Sequence, residues 1–150
     1  MTNKVTFYDT TMRDGEQTIG VNFSVEEKIA IAKGLDDYGV SAIEAGFPAA
    51  SQKDFEAVKS IAEVVNKAKV VGLARLVRND INAVIEATKG AKQPMIHVFI
   101  ATSPVHREFK LHLTKEEILD KIKADVTFTK QYIQDIVCLL YTSPSPRDMR

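Results

Sequence analysis

The sequence predicts an α/β fold of the (βα) TIM-barrel type, about the first four βα units of a (β/α)8 barrel. Three observations carry that prediction. Short apolar runs rich in β-formers alternate with amphipathic segments of roughly ten to fifteen residues, and the short connections between them suit a parallel sheet with crossover helices. The turn after the first strand holds Arg13, Asp14, Gly15 and Glu16, with a single glycine where a doubly wound nucleotide-binding sheet has several. The polar strand exits, Arg13 and Asp14, Glu44, Arg75, then Thr102 and Ser103, all fall on one face, where a barrel keeps its chemistry.

Each element has a local cause. Val5 to Tyr8 is an apolar run too short for a helix, and the polar cluster behind it ends the first strand. Ser24 and Glu27 form a capping box ahead of a helix over Val25 to Tyr38, with Ile29, Ala30, Ala32, Leu35 and Tyr38 as its apolar stripe and Gly39 as its stop. Ser41 to Ala45 reads as the second strand, closed by Gly46, Phe47 and Pro48. Ser51 caps a second helix carrying Phe55, Val58, Ile61, Ala62 and Val65, and Lys69 to Leu73 makes the third strand. Asn79 or Asp80 is expected to cap the third helix, with Gly90 past its end, and Met95 to Ala101 forms the fourth strand. Thr114 and Glu117 repeat the capping box before a fourth long helix with Ile118, Leu119, Ile122 and Val126.

Composition narrows the class of partner. Lysine plus arginine and aspartate plus glutamate both number 20, so no net field favours nucleic acid or an anionic membrane, and a small molecule is expected. No apolar run approaches the ~18 residues of a membrane span, and the opening residues carry no leader pattern, which points to the cytoplasm. The lone Cys138 excludes an internal disulfide, and no Cys/His spacing suggests zinc.

The stretch from Asp9 to Gln17 concentrates both signs of charge at one strand exit, as a site for an anionic substrate beside a cation requires. Taken alone, Arg13 and Asp14 read as a surface ion pair. Glu44 lies inside an apolar strand, where an unpaired carboxylate would be costly, so it is paired with Arg13 or Arg75 or belongs to a pocket. His97 fits either a hydrogen-bonded core histidine or a pocket residue.

The run Asp9 to Gln17, followed after ten residues by Lys28, resembles the opening signature of the 2-isopropylmalate synthase and homocitrate synthase family, metal-dependent TIM-barrel enzymes related to hydroxymethylglutaryl-CoA lyase. Ile43 to Ser51 and Phe99 to His106 look most like the isopropylmalate branch. The resemblance implies an acyltransferase that condenses acetyl-CoA with 3-methyl-2-oxobutanoate to give 2-isopropylmalate and CoA, in leucine biosynthesis. It implies Asp14 as a ligand of a divalent metal (Mg²⁺ or Mn²⁺, alternatively Zn²⁺) and Arg13 as the catalytic residue neutralising oxygen charge. Arg13, Gln17, Glu44, His97 and Thr102 are the implied substrate-binding residues. It further implies a 2-oxo acid and acetyl-CoA as partners and a homodimeric parent protein. Homocitrate, citramalate or another alkylmalate synthase, or a related carbon–carbon lyase, is the alternative within the mechanism. A non-catalytic half-barrel binding module is the alternative outside it.

The resemblance spans Lys4 to Val137, so residues 1–137 are expected to be the amino-terminal half of a catalytic barrel. From Cys138 to Arg150 the pattern is neither strand nor helix, and it resembles the in-frame translation of a sequencing-library adapter. Residues 138–150 are therefore expected to be a non-native, disordered tail. The resemblance implies a pair of metal-binding histidines as well, and because no His-x-His occurs here the 150-residue chain alone is expected to be inactive.

Overall fold

A computed structural model describes residues 5–141. The elements run β1 (Tyr8–Asp9), a 3-10 turn (Gly15–Gln17), α1 (Val25–Tyr38), β2 (Ala42–Gly46), α2 (Gln52–Val64), β3 (Lys69–Arg75), α3 (Arg78–Ala87), β4 (Pro94–Ala101), a single turn α4 (Pro104–His106) continued by a π-type turn (Arg107–Leu111), α5 (Lys115–Thr129) and β5 (Asp135–Tyr141). All five strands are parallel, and their order in the sheet is the order of the chain. A doubly wound sheet reverses direction at a switch point, whereas a barrel adds each strand beside the last. This is a curled half-barrel with its helices outside.

The helices form where their caps dictate. Ser24 and Thr114 accept from the backbones of Glu27 and Glu117, whose side chains reach back to the cap backbones, so both capping boxes are complete. Gly39 ends α1 in the left-handed conformation at φ 94°, where a side chain would be strained. α3 departs from expectation: it starts at Arg78 with Val77 as an uncapped boundary. Asp80 accepts instead from the backbone and guanidinium of Arg75, at 3.2 and 2.6 Å. A charged donor at the end of β3 competes better for that carboxylate than a neutral amide does.

Outward-facing strand residues meet the helices in two packed groups. Ile43, Ala45 and Val70 join Ala32, Val58 and Ile61 under α1 and α2, while Ala74, Ile96, Val98 and Ile100 join Ile81, Val84 and Ile118 under α3 and α5. Gly72 lets α3 lie directly on β3, since a Cβ there would sit 2.7 Å from Val84 Cγ1. The buried line on α1 is Lys28, Ala32 and Asp36, so the helix is rotated from the expected stripe and Tyr38 is exposed.

The sheet edges differ most from expectation. β1 pairs only through Tyr8 and Asp9, and Val5 and Phe7, expected in the strand, are exposed. The Phe7 carbonyl still accepts from the Ser41 and Ala42 amides, at 2.9 and 3.2 Å. At the other edge a fifth strand forms where none was expected, and it continues past Val137: Cys138 pairs with Val98 and Tyr141 with Ala101. The free edge of β4 offers a complete row of backbone partners, which extended chain can satisfy whatever its side chains. Residues 138–141 of the expected tail are thus part of β5, and residues 142–150 lie outside those described. No helix among the described residues is long and apolar enough to cross a membrane.

Candidate functional site

The loop after β1 is wound tightly by its own polar side chains. Asp9 accepts from the Thr11 amide and hydroxyl, both at 3.0 Å, and the Thr10 carbonyl accepts from the amides of Arg13, Asp14 and Gly15. Met12 is fully buried and ties the loop into the core. Its neighbour Arg13 is thereby turned across the concave face of the sheet toward Glu44 of β2.

Glu44 is wholly buried and is the hub of the site. Its Oε2 accepts from Arg13 Nε and Nη2, each at 2.7 Å, while Oε1 accepts from the Tyr8 hydroxyl at 3.1 Å and pairs with His97 Nδ1 at 2.7 Å. Arg13 Nη1 also reaches Asp14 Oδ1 at 2.8 Å. Of the two partners the sequence left open for Glu44, it takes Arg13; Arg75 is held by Asp80 and lies 5.7 Å from the ring centre of Phe47.

The electrostatics follow from this geometry. Burial alone would raise the Glu44 carboxyl, but the hydrogen bond with His97 and the Arg13 guanidinium outweigh it and hold the group below the usual carboxylate range. An ionised carboxylate only accepts, so His97 must donate from Nδ1, and Tyr8 gives its proton to Glu44 rather than to the ring nitrogen 3.5 Å away. Burial and the Glu44 charge push the Tyr8 phenol far above its ordinary value. His97 Nε2 is left buried with no hydrogen-bond partner among the described residues. Such an atom is available to a donor on a bound molecule.

β2 carries a one-residue irregularity between Glu44 and Gly46, beside the hub, which resets the alternation just before Phe47. Above it opens a cleft of about 210 Å³, lined by Met12, Arg13, Gln17, Gly46, Phe47 and Leu73 among others. The structure thus gathers Arg13, Asp14, Gln17, Glu44 and His97 at one end of the half-barrel. It does not bring Thr102 into this cleft: Thr102 borders a separate cavity with Ser103, Arg107 and Ile118, and its carbonyl accepts from Arg107 Nε at 3.1 Å.

Asp14 is more than half exposed and keeps one oxygen outside its bond to Arg13, so it could serve a cation. Among the described residues no group of three or more His, Cys, Asp or Glu side chains could hold a metal ion. These residues fit a single corner of a metal site and not a coordination shell.

Two participants escaped the sequence reading. Tyr8 reads in the sequence as one more member of the apolar strand, and its two-residue alternation in β1 is the only local signal that it faces inward. Lys28 belongs to the signature with no role evident from sequence; its spacing of four from Ala32 and eight from Asp36 places it on the buried line of α1.

The HMGL-like family model matches residues 4–148. The chain is 61% identical over 127 residues to a 2-isopropylmalate synthase of Streptococcus gallolyticus (strain UCN34), covering 85% of this chain and 24% of that protein. It is 54% identical over 137 residues to a 2-isopropylmalate synthase of Staphylococcus saprophyticus, covering 91% of this chain and 27% of that one. Against a 2-isopropylmalate synthase of Lactococcus lactis (strain IL1403) it is 52% identical over 131 residues, 87% of this chain and 26% of the relative. The chain spans about a quarter of the length of the relatives it matches. With nearly all of its length matched by one family model, on a parallel half-barrel whose strands follow chain order, the chain belongs to the HMGL-like family.

Proposed function

We propose that this chain forms the first half of the catalytic barrel of an acyltransferase of the 2-isopropylmalate synthase type, which converts acetyl-CoA, 3-methyl-2-oxobutanoate and water to 2-isopropylmalate and CoA. In that reaction the acetyl methyl carbon, after losing a proton, bonds to the keto carbon of the 2-oxo acid. The keto oxygen gains negative charge, and the thioester is then hydrolysed.

The observation that carries this reading is the seating of Arg13. A guanidinium has five N–H donors. Glu44 and Asp14 take three of those on Arg13, which leaves two among the described residues at the wall of the cleft. Two donors held in one plane suit the adjacent carboxylate and keto oxygens of a 2-oxo acid, and their positive charge favours the oxygen on which charge develops. The ionised Glu44 prevents Arg13 from swinging away. Gln17 lines the cleft beside Arg13 and contributes a further amide. Asp14 is the one carboxylate of this set free to meet a divalent cation, Mg²⁺, Mn²⁺ or Zn²⁺, which when bound would polarise the keto group. The whole protein is proposed to be cytoplasmic and homodimeric.

Discrimination among 2-oxo acids rests on apolar contacts worth about 1–3 kcal/mol per methylene. The decisive experiment is a chimera in which the 127 matched residues of this chain replace the corresponding segment of the Streptococcus gallolyticus relative. CoA thiol release is followed with Mg²⁺ or Mn²⁺ and competing 2-oxo acids. The chimera is expected to turn over 3-methyl-2-oxobutanoate in preference to pyruvate or 2-oxoglutarate, while the 150-residue chain alone releases no thiol. A folded chimera that ignores 3-methyl-2-oxobutanoate would refute the reading.

A further inference from the structure

We infer that Lys28 is a positioning residue for the 2-oxo acid site: its buried ammonium locks the turn that presents Arg13 and Gln17 to the cleft. The inference rests on the proposed function for the identity of the substrate but not for the lock itself. Lys28 is 1% exposed and is the largest fully buried side chain among the described residues, an unusual station for a lysine unless its charge is matched. Its Nζ lies 2.6 Å from Glu16 Oε2 and 3.8 Å from Asp54 Oδ1.

Those two carboxylates sit on different elements. Glu16 belongs to the 3-10 turn directly after Asp14, and Asp54 to the first turn of α2. Glu16 also accepts from the Phe23 amide through Oε1, at 3.1 Å, so one carboxylate grips both the far end of the loop and Lys28 of α1. Both Glu16 and Asp54 line the cleft that Arg13 and Gln17 border. Without the ammonium, the cleft wall would hold two uncompensated carboxylates facing the place proposed for an anion. The 3-10 turn has no side-chain cap of its own, and none of its residues is buried. Its own backbone bonds set its shape, and this tie is what fixes its outer side to α1 and α2.

The lock accounts for a lysine that touches no proposed reacting atom: Arg13 is fixed from below by Glu44, and the turn behind it is fixed from the side by Lys28. Removing either should loosen the same guanidinium by a different route.

The test uses amide hydrogen exchange and kinetics together. In the 150-residue chain, Lys28→Met and Glu16→Gln are each expected to speed exchange in residues 13–23 by about tenfold or more, with β3 and β4 unchanged. Glu16→Gln guards against a Lys28→Met chain that fails to fold, because Glu16 lies on a partly exposed turn. In the chimera, both variants are expected to raise KM for 3-methyl-2-oxobutanoate by about tenfold while leaving KM for acetyl-CoA within about twofold. Lys28→Arg is expected to restore most of the difference, and the double variant is expected to be no worse than the worse single one. Unchanged exchange in residues 13–23 for folded variants overturns the lock. An inactive unsubstituted chimera would sink the proposed function and leave the exchange result to decide the lock.

Discussion

At the scale of single residues, Glu44 concentrates the energetics of the site. It is fully buried and ionised, and it satisfies Arg13, His97 and Tyr8 at once. Glu44→Gln keeps the shape but sets an amide donor against groups that themselves donate. Breaking one side of a buried ion pair costs about 3–5 kcal/mol. The substitution is therefore expected to lower the unfolding free energy by about 2–4 kcal/mol in urea titrations, and a change under about 0.5 kcal/mol would contradict the hub. Asp36 gives a second residue-scale prediction. Burial would raise its carboxyl, but the amides of Ala68, Asn66 and Lys67 donate to it at 2.7 to 2.9 Å and hold it below its ordinary range. A carboxyl lowered by folding stabilises fully above its unfolded value of about 3.9, and that stabilisation is lost as pH falls through the lower folded value. Asp36→Asn should therefore be less stable than the parent chain at pH 7. The gap should close as pH falls below about 4, and a gap that persists unchanged to pH 2 would refute the assignment.

At the scale of elements, close approach of α3 to β3 rests on Gly72. The missing Cβ is replaced by Val84, a stiff branched side chain with little room to move, so Gly72→Ala should force the helix outward. The expected cost is about 1–3 kcal/mol, read as a lowered melting temperature, and Val84→Ala in the same chain should recover part of it. Elements with a short-range cause were legible in the sequence: the capping boxes of α1 and α5 and the Ser51 cap of α2 are set by side chains three residues apart. Features decided across the sheet were not. Asp80 reads as a cap until Arg75, five residues earlier, is seen to hold it. Nothing local chooses between Arg13 and Arg75 as the partner of Glu44, and β5 forms because β4 offers an edge rather than because its own pattern alternates. For the site, residue types and loop were readable, whereas Tyr8 and Lys28 needed the third dimension. Thr102, grouped with the site as a strand exit on the same face and by likeness, lines a different cavity.

At the scale of the whole molecule, exposure of the concave face grows from β3 to β5. Val71 and Leu73 of β3 are buried, Met95, His97 and Phe99 of β4 are half-buried, and Leu139 of β5 is exposed. These positions are interior in a closed barrel, where layers of side chains from alternate strands fill the centre. Among the described residues β1 and β5 each present an unpaired edge, with Val5, Phe7 and Leu139 beside it. Parallel edges with apolar flanks pair readily with another chain, and natural sheets blunt them with charge, most often lysine. The 150-residue chain is therefore expected to self-associate, sedimenting as species that grow with concentration. Phe7→Lys together with Leu139→Lys should shift the boundary toward monomer without altering the far-ultraviolet circular dichroism, because neither side chain is part of the packed layers under the helices. A parent chain that sediments as one monomer at every concentration would show that these edges are already protected.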